Sequence, residues 1–261
     1  MHVQSLASGS EGNSALLRVG ETHVLIDAGL ALEELEERLA AARVAPSRID
    51  HVVLTHGHLD HARSAGALSR KTRARVHCAE AMMRNASLRG AHSFAALAVG
   101  GTRTLASALG RDPVALTTVP VPHDAHPTVA LRFEAQERVF ALVTDMGRPD
   151  ATVARALAGA QVLFLEFNHD EELLRSGPYP EQLRRRVGGD QGHLSNLQAA
   201  RMLRDLATPA LHTLVLTHLS KHNNTEALAR AAAERALHEA GCGQVAVLVA
   251  EQDRIGPNLS V

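Results

Sequence analysis

Six short apolar runs in this chain each end abruptly in a polar group able to bind a metal, and that pattern restricts the fold more than any other feature. They are VLIDAG (24–29), VVLTHGHLDH (52–61), TTVPVPHDAH (117–126), FALVTDMG (140–147), VLFLEFNHD (162–170) and LVLTHLS (214–220). Apolar runs of this length, bounded by turn residues, suit buried strands. Between them, helical periodicity predicts helices over Glu33–Ala42, Asp60–Leu68, Asp150–Ala158, Leu197–Ala207 and Thr225–Ala240. Asp60 and the pair Asn224–Thr225 are good capping types for the second and fifth of these. The early part, Val3 to Asp27, reads instead as an antiparallel meander turned at GSEGN and VGET. Strands alternating with helices, with polar groups at strand ends, imply an α/β sandwich of mixed sheets covered by helices, with a site along one edge. No linker, low-complexity tract or short-period repeat marks a boundary, so residues 1–261 are expected to form a single domain.

Composition removes several classes of function. With 27 basic and 28 acidic side chains the net charge is −1, which excludes a nucleic-acid binder working by bulk positive charge. The longest stretch free of Asp, Glu, Lys and Arg, Leu206 to Ser220, holds two His and a Pro and is no membrane-spanning helix. The N-terminal MHVQSLASGSEGNS lacks the cationic and apolar regions of a signal peptide, so a cytoplasmic protein is expected. Cys78 and Cys242 cannot make a disulfide framework and read as buried, inert thiols. Aromatics are only 2%, a poor supply for base stacking, whereas histidine is abundant at 16 residues.

Where those histidines fall decides the chemistry. THGHLDH places His56, His58, Asp60 and His61 in an H-x-H-x-D-H pattern. A chain of this composition produces that pattern by chance about twice per thousand sequences. His56 and His58 alternate on an extended backbone and point the same way, so they can share one metal. Asp60 and His61 sit where the chain turns into a helix, offset enough to face a second. Imidazole and carboxylate ligands without Cys suit zinc, manganese or iron.

With this motif the chain resembles the metallo-β-lactamase-fold hydrolases, over nearly its whole length. The resemblance implies an αββα four-layer sandwich of two mixed β-sheets flanked by helices. It also implies two divalent metal ions, with His56, His58 and His123 on one, Asp60, His61 and His218 on the other, and Asp145 bridging them. His126 competes with His123, but His123 directly follows the apolar run. Asp27 in LIDAG matches the superfamily's early Asp, which orients the ligand loop.

SLASGSEGNS, LEFNHD, GGDQGHLSNLQAA and THLSKHNNTEALA narrow the resemblance to the YycJ/WalJ-type exonuclease branch, related to tRNase Z. That branch implies metal-assisted phosphodiester hydrolysis of a nucleic acid, DNA before RNA, with Asp60 at the reacting centre. His193 in GHLS, held by Glu166, would stabilise the scissile phosphate or protonate the leaving 3′ oxygen. Ser10 and Asn13 belong to a small-residue loop whose N–H groups are expected to cradle an anionic oxygen. His169 and Asp170 are candidates for the rim or for a helix cap, and Asn223 and Asn224 for a phosphate contact or a helix cap.

Two basic segments, Arg63/Arg70/Lys71/Arg73/Arg75 and Arg184/Arg185/Arg186, are able to track a phosphate backbone. Equally, with 25 Arg and 2 Lys in the chain, Arg clusters on solvated helix faces need no special purpose. Asp145 and His218 are too close in sequence to admit an inserted β-CASP domain, and no long tRNA-gripping arm is evident. Two competing readings keep the same scaffold. A glyoxalase II-like thioesterase or a lactonase would use the same seven ligands, and His193 with Glu166 argues against it. A flavodiiron-type redox module typically has Glu in place of His58 and needs a flavin domain.

Overall fold

The computed structural model describes all residues, 1–261. Two seven-stranded sheets pack face to face. The first contains β1 (His2–Ala7), β2 (Ser14–Val19), β3 (Thr22–Ile26), β4 (His51–Val53), β5 (Arg75–Ala79) and β6 (Ser93–Leu97), with the C-terminal β14 (Leu259–Ser260) beside β1. The second runs through β7 (Thr102–Leu105), β8 (Val114–Val121), β9 (Thr128–Ala135), β10 (Arg138–Val143), β11 (Val162–Glu166), β12 (Thr213–Thr217) and β13 (Ala246–Val249). Each sheet opens as an antiparallel meander and finishes with parallel strands. Val3 to Asp27 therefore forms the expected meander, and both sheets are mixed as expected.

Helices cover both outer faces: α1 (Leu32–Ala41), α2 (Leu59–Ala62) and α3 (Ala65–Thr72) follow strands of the first sheet. Those following strands of the second are α4 (Ala151–Leu157), α5 (Glu171–Ser176), α6 (Glu181–Val187), α7 (Asn196–Leu206) and α8 (Glu226–Glu239). The strand VLFLE shows how the layers cohere. Val162 and Phe164 enter the core between the sheets beside Ile26, Phe133 and Phe140, while Leu163 and Leu165 pack outward with Leu157, Leu203 and Leu237. Leu35, Leu39 and Leu68 cover the other sheet over Leu25 and Val52. A strand buried on both faces needs apolar residues at every position, and this is why these runs read as continuous.

Helix starts follow capping chemistry. Asp150, Asp170 and Thr225 each accept backbone N–H groups at a helix start, and Ser195 forms a capping box with Gln198. One expectation needs correction. Asp60–Leu68 is two helices rather than one, and Asp60 lies in the first turn of α2 instead of capping it. The cause is the Ala28–Leu30 backbone, which docks between them. Ala28 N donates to His61 O, Ser64 N donates to Ala28 O, and Ser64 Oγ donates to Leu30 O. Gly29 makes this approach possible, because a Cβ there would sit 1.6 Å from Asp60 O.

Candidate metal centre

The seven residues expected to bind metal converge at one edge of the sandwich. His56 and His58 leave the end of β4, Asp60 and His61 ride on α2, and His123, Asp145 and His218 follow β8, β10 and β12. Three strand ends here carry left-handed backbone on non-glycine residues: Asp27 (φ 56°), Asp145 (φ 55°) and His218 (φ 55°). Asp and His are among the side chains that best tolerate that region, and the strain is held by the buried strands on either side.

The donor atoms fall into overlapping groups within 4.8 Å of one another: His56, His58 and His123; Asp60, His61 and His218; and Asp145 with His56 and His61. His123 Nε2 is 3.3 Å from His58 Nδ1 and 3.8 Å from Asp145 Oδ1. On the other side Asp60 Oδ2 is 3.6 Å from both His61 Nε2 and His218 Nε2, and Asp145 Oδ2 is 3.1 Å from His61 Nε2. Asp145 thus stands between the two sets.

Three of the imidazoles are held from behind, through Nδ1, so that each presents Nε2. Asp27 Oδ2 holds His61 Nδ1, and Thr55 donates its N–H and Oγ–H to the same carboxylate. The Gly192 carbonyl accepts from His123 Nδ1 at 2.9 Å. His218 Nδ1 lies 3.3 Å from Glu166 Oε1, and its backbone N–H donates to Ser8 Oγ at 2.8 Å. Such outer contacts orient ligands and raise their basicity.

Charge balance points to cations here. Burial keeps His56 neutral, helped by the charge of His61, so it is ready to donate a lone pair. Burial alone would lower His218 too, but the carboxylates of Asp145, Asp60 and Glu166 around it carry it up to about 10. His61 is likewise raised, against its burial, by Asp145 and Asp27. Protons on these two rings balance carboxylates that bound cations would otherwise balance. The residues fit metal ions on a second count. His56 Nε2 and His218 Nε2 are buried with no hydrogen-bond partner, a costly state that a bound ion would relieve.

His193 and Glu166 meet beside this cluster. Glu166 is fully buried, and its Oε1 lies 2.8 Å from His193 Nδ1. Its Oε2 accepts from Met146 N–H and Leu194 N–H. Burial opposes the charge on Glu166, yet His193 overrides it and holds the carboxyl below the usual range. His193 Nδ1 is also 3.4 Å from Asp145 Oδ1, so the pair reaches the bridging position.

Other expected site residues take structural places. Asn13 is buried, its Oδ1 accepts from Gly9 N–H, and its Nδ2 lies 3.0 Å from His61 Nε2. Of the N–H groups expected to cradle an anion, those of Ser8, Gly9, Glu11 and Asn13 are taken by the protein, which leaves Ser10 and Gly12 for that role. Ser10 is exposed on this loop. His169 is buried at the start of α5 and burial lowers it to about 4, while Asp170 is the cap. Asn223 has no exposed surface and donates to Ser220 Oγ. Asn224 is buried against Asn196 and the carbonyl of Phe167, and Thr225 does the capping. His126 is exposed outside the cluster.

Sequence reasoning missed Thr55, Asp124 and Asn168, each adjacent to a residue it had singled out. Asn168 Nδ2 donates to the His218 carbonyl at 2.9 Å, and Asp124 Oδ1 lies 3.4 Å from His58 Nε2.

A His/Asp cluster of this kind, on loops at one edge of an αββα sandwich, is the site of a metal-dependent hydrolase. The chain belongs to the metallo-beta-lactamase superfamily, whose family model matches residues 8–218. It is 32% identical over 247 residues to exodeoxyribonuclease YycJ of Bacillus anthracis, covering 93% of this chain and 91% of that protein. It is 34% identical over 248 residues to exodeoxyribonuclease WalJ of Streptococcus pneumoniae serotype 2 (strain D39), covering 91% and 88%. Among solved structures, the metallo-beta-lactamase fold protein YhfI of Bacillus subtilis superposes with a TM-score of 0.72 at 18% identity, over 98% of this chain and 99% of that one. The short form of human tRNase Z gives 0.66 at 15% identity over 98% and 99%, a likeness of fold. No helix is long and apolar enough to cross a membrane.

Proposed function

We propose that this chain is a dinuclear-metal phosphodiesterase, an exonuclease acting on DNA. The observation that carries the reading is the Glu166–His193 pair, at 2.8 Å, seated against Asp145. Thioester or lactone hydrolysis on this scaffold needs the metal ligands but not an extra buried acid holding a histidine beside them. The names of the YycJ and WalJ relatives favour the same choice.

In this reading His56, His58 and His123 hold one ion, Asp60, His61 and His218 hold the other, and Asp145 serves both. Zinc, manganese or iron in that place would polarise a phosphoryl oxygen and lower the pKa of a water toward neutrality. The chain does the rest. Asp27 and Thr55 fix the His61 ring, and the Gly192 carbonyl fixes His123, so donors stay preorganised as charge develops. Glu166 occupies Nδ1 of His193 and leaves Nε2 to donate to the scissile phosphate or to the leaving 3′ oxygen. The reading places the protein in the cytoplasm, where the buried Cys78 and Cys242 stay unpaired.

Metal-reconstituted protein should be assayed in parallel on thymidine 5′-p-nitrophenyl phosphate and on a glutathione thioester. Hydrolysis of the phosphodiester alone supports the assignment. Turnover of the thioester alone would replace it with the thioesterase reading.

A further inference from the structure

Of the three arginines in RRR at 184–186, two serve the helix surface. Arg185 pairs with Glu181 one turn back, and Arg184 donates to the Arg175 carbonyl. Arg186 does something else. Its Nε donates to Asp124 Oδ2 at 2.6 Å, and the other oxygen of Asp124 lies 3.4 Å from His58 Nε2 and 3.3 Å from His123 Nε2. A single carboxylate therefore ties the end of α6 to the three-histidine group.

The next residues carry the chain into the site. Val187 O accepts from His193 N–H at 2.8 Å, and Gly192 O accepts from His123 Nδ1. Arg186 thus sits on the rim between His58 and His193. Asp124 uses only Nε, so both Nη groups are without a protein partner, on a side chain 59% exposed. An exposed pair of this kind is weak and easily shared, and a guanidinium can hold a carboxylate on one edge and a phosphate on the other.

We propose that Arg186, held in position by Asp124, is a phosphate clamp that grips the nucleic-acid backbone next to the metal centre. The inference rests on the phosphodiesterase reading in naming nucleic acid as the ligand. It accounts for how a chain of net charge −1 with few aromatics engages a polyanion: a positioned donor at the site takes the place of a charged face.

The test is equilibrium binding of a nuclease-resistant phosphorothioate single strand, followed by fluorescence anisotropy across a salt titration. Wild-type protein, Arg186→Gln and Arg185→Gln are compared at matched metal content. Arg186→Gln should weaken binding about tenfold, the loss of a charge-assisted contact, and should flatten the slope of log K against log salt by about 0.7. Arg185→Gln, with the same change in net charge, should match wild type. Equal behaviour of the two variants overturns the clamp, as does a loss of affinity at unchanged slope, which would mark a structural effect. Failure of the wild type to bind the strand also overturns it. Binding with the expected slopes but no DNA cleavage would instead overturn the exonuclease reading and leave the clamp standing.

Discussion

Asp27 Oδ2 sits 2.8 Å from His61 Nδ1 in a fully buried contact, at a strand end where Asp27 itself adopts φ 56°. The carboxylate fixes which nitrogen of His61 faces Asp60 and Asp145. Asp27→Asn keeps the shape and tolerates the backbone but removes the charge. Metal affinity should fall about 10–100-fold, since outer contacts of this kind carry effects of that size. Competition with a chromophoric chelator measures it, and an unchanged affinity would place the role of Asp27 in folding.

Gly29 is a second point where backbone geometry serves the site. A Cβ would meet Asp60 O at 1.6 Å and Asn13 N at 2.7 Å, neither of which can swing aside. Gly29→Ala should destabilise the protein by about 3 kcal/mol or more, through overpacking against backbone. Urea unfolding reads this directly, and a variant as stable as wild type would show that the segment is free to shift.

His193→Ala tests the Glu166 pair. The rate of phosphodiester hydrolysis should drop about 10²–10⁴-fold while two ions per chain are retained. Activity with metal content measured on the same samples separates this from loss of a ligand. Full activity would return His193 to a structural place.

His77 offers a pH signature away from the metal centre. Burial lowers it to about 3, helped by the charges of His51, Arg103 and Arg75. Its folded pKa lies below the unfolded value of about 6.5, so between those two values the unfolded chain binds a proton that the folded chain refuses. Stability from this group should therefore fall as pH drops from about 6.5 to 3, by at most about 1.4 kcal/mol per unit. His77→Leu should lessen the acid sensitivity relative to wild type in urea midpoints measured from neutral to mildly acidic pH. Parallel curves for the two proteins would argue against it.

Much of the candidate site was legible because its expected ligands sit at the ends of buried strands, where apolar runs announce the strand and the next polar residue announces the loop. His56, His58, Asp60 and His61 stand out in this way, and the resemblance added His123, Asp145 and His218 at three further strand ends. What escaped depends on contacts distant in sequence. The break between α2 and α3 is imposed by Ala28–Leu30, and the N–H groups of Ser8 and Glu11 are taken by Glu251 and Gln252. The edge strands β6 and β7 were missed because most of their residues are exposed or half-buried, so no apolar run marks them. Asp124 carries no signal of its own in the sequence, and only the fold brings Arg186 to it.

The most direct measurement of the central claim is digestion of end-labelled DNA, single- and double-stranded, by protein loaded with Mn²⁺ or Zn²⁺ beside Asp60→Ala. Stepwise shortening from one end, absent in the variant, is the predicted result. Intact substrate with either metal, in a preparation carrying two ions per chain, would contradict the claim.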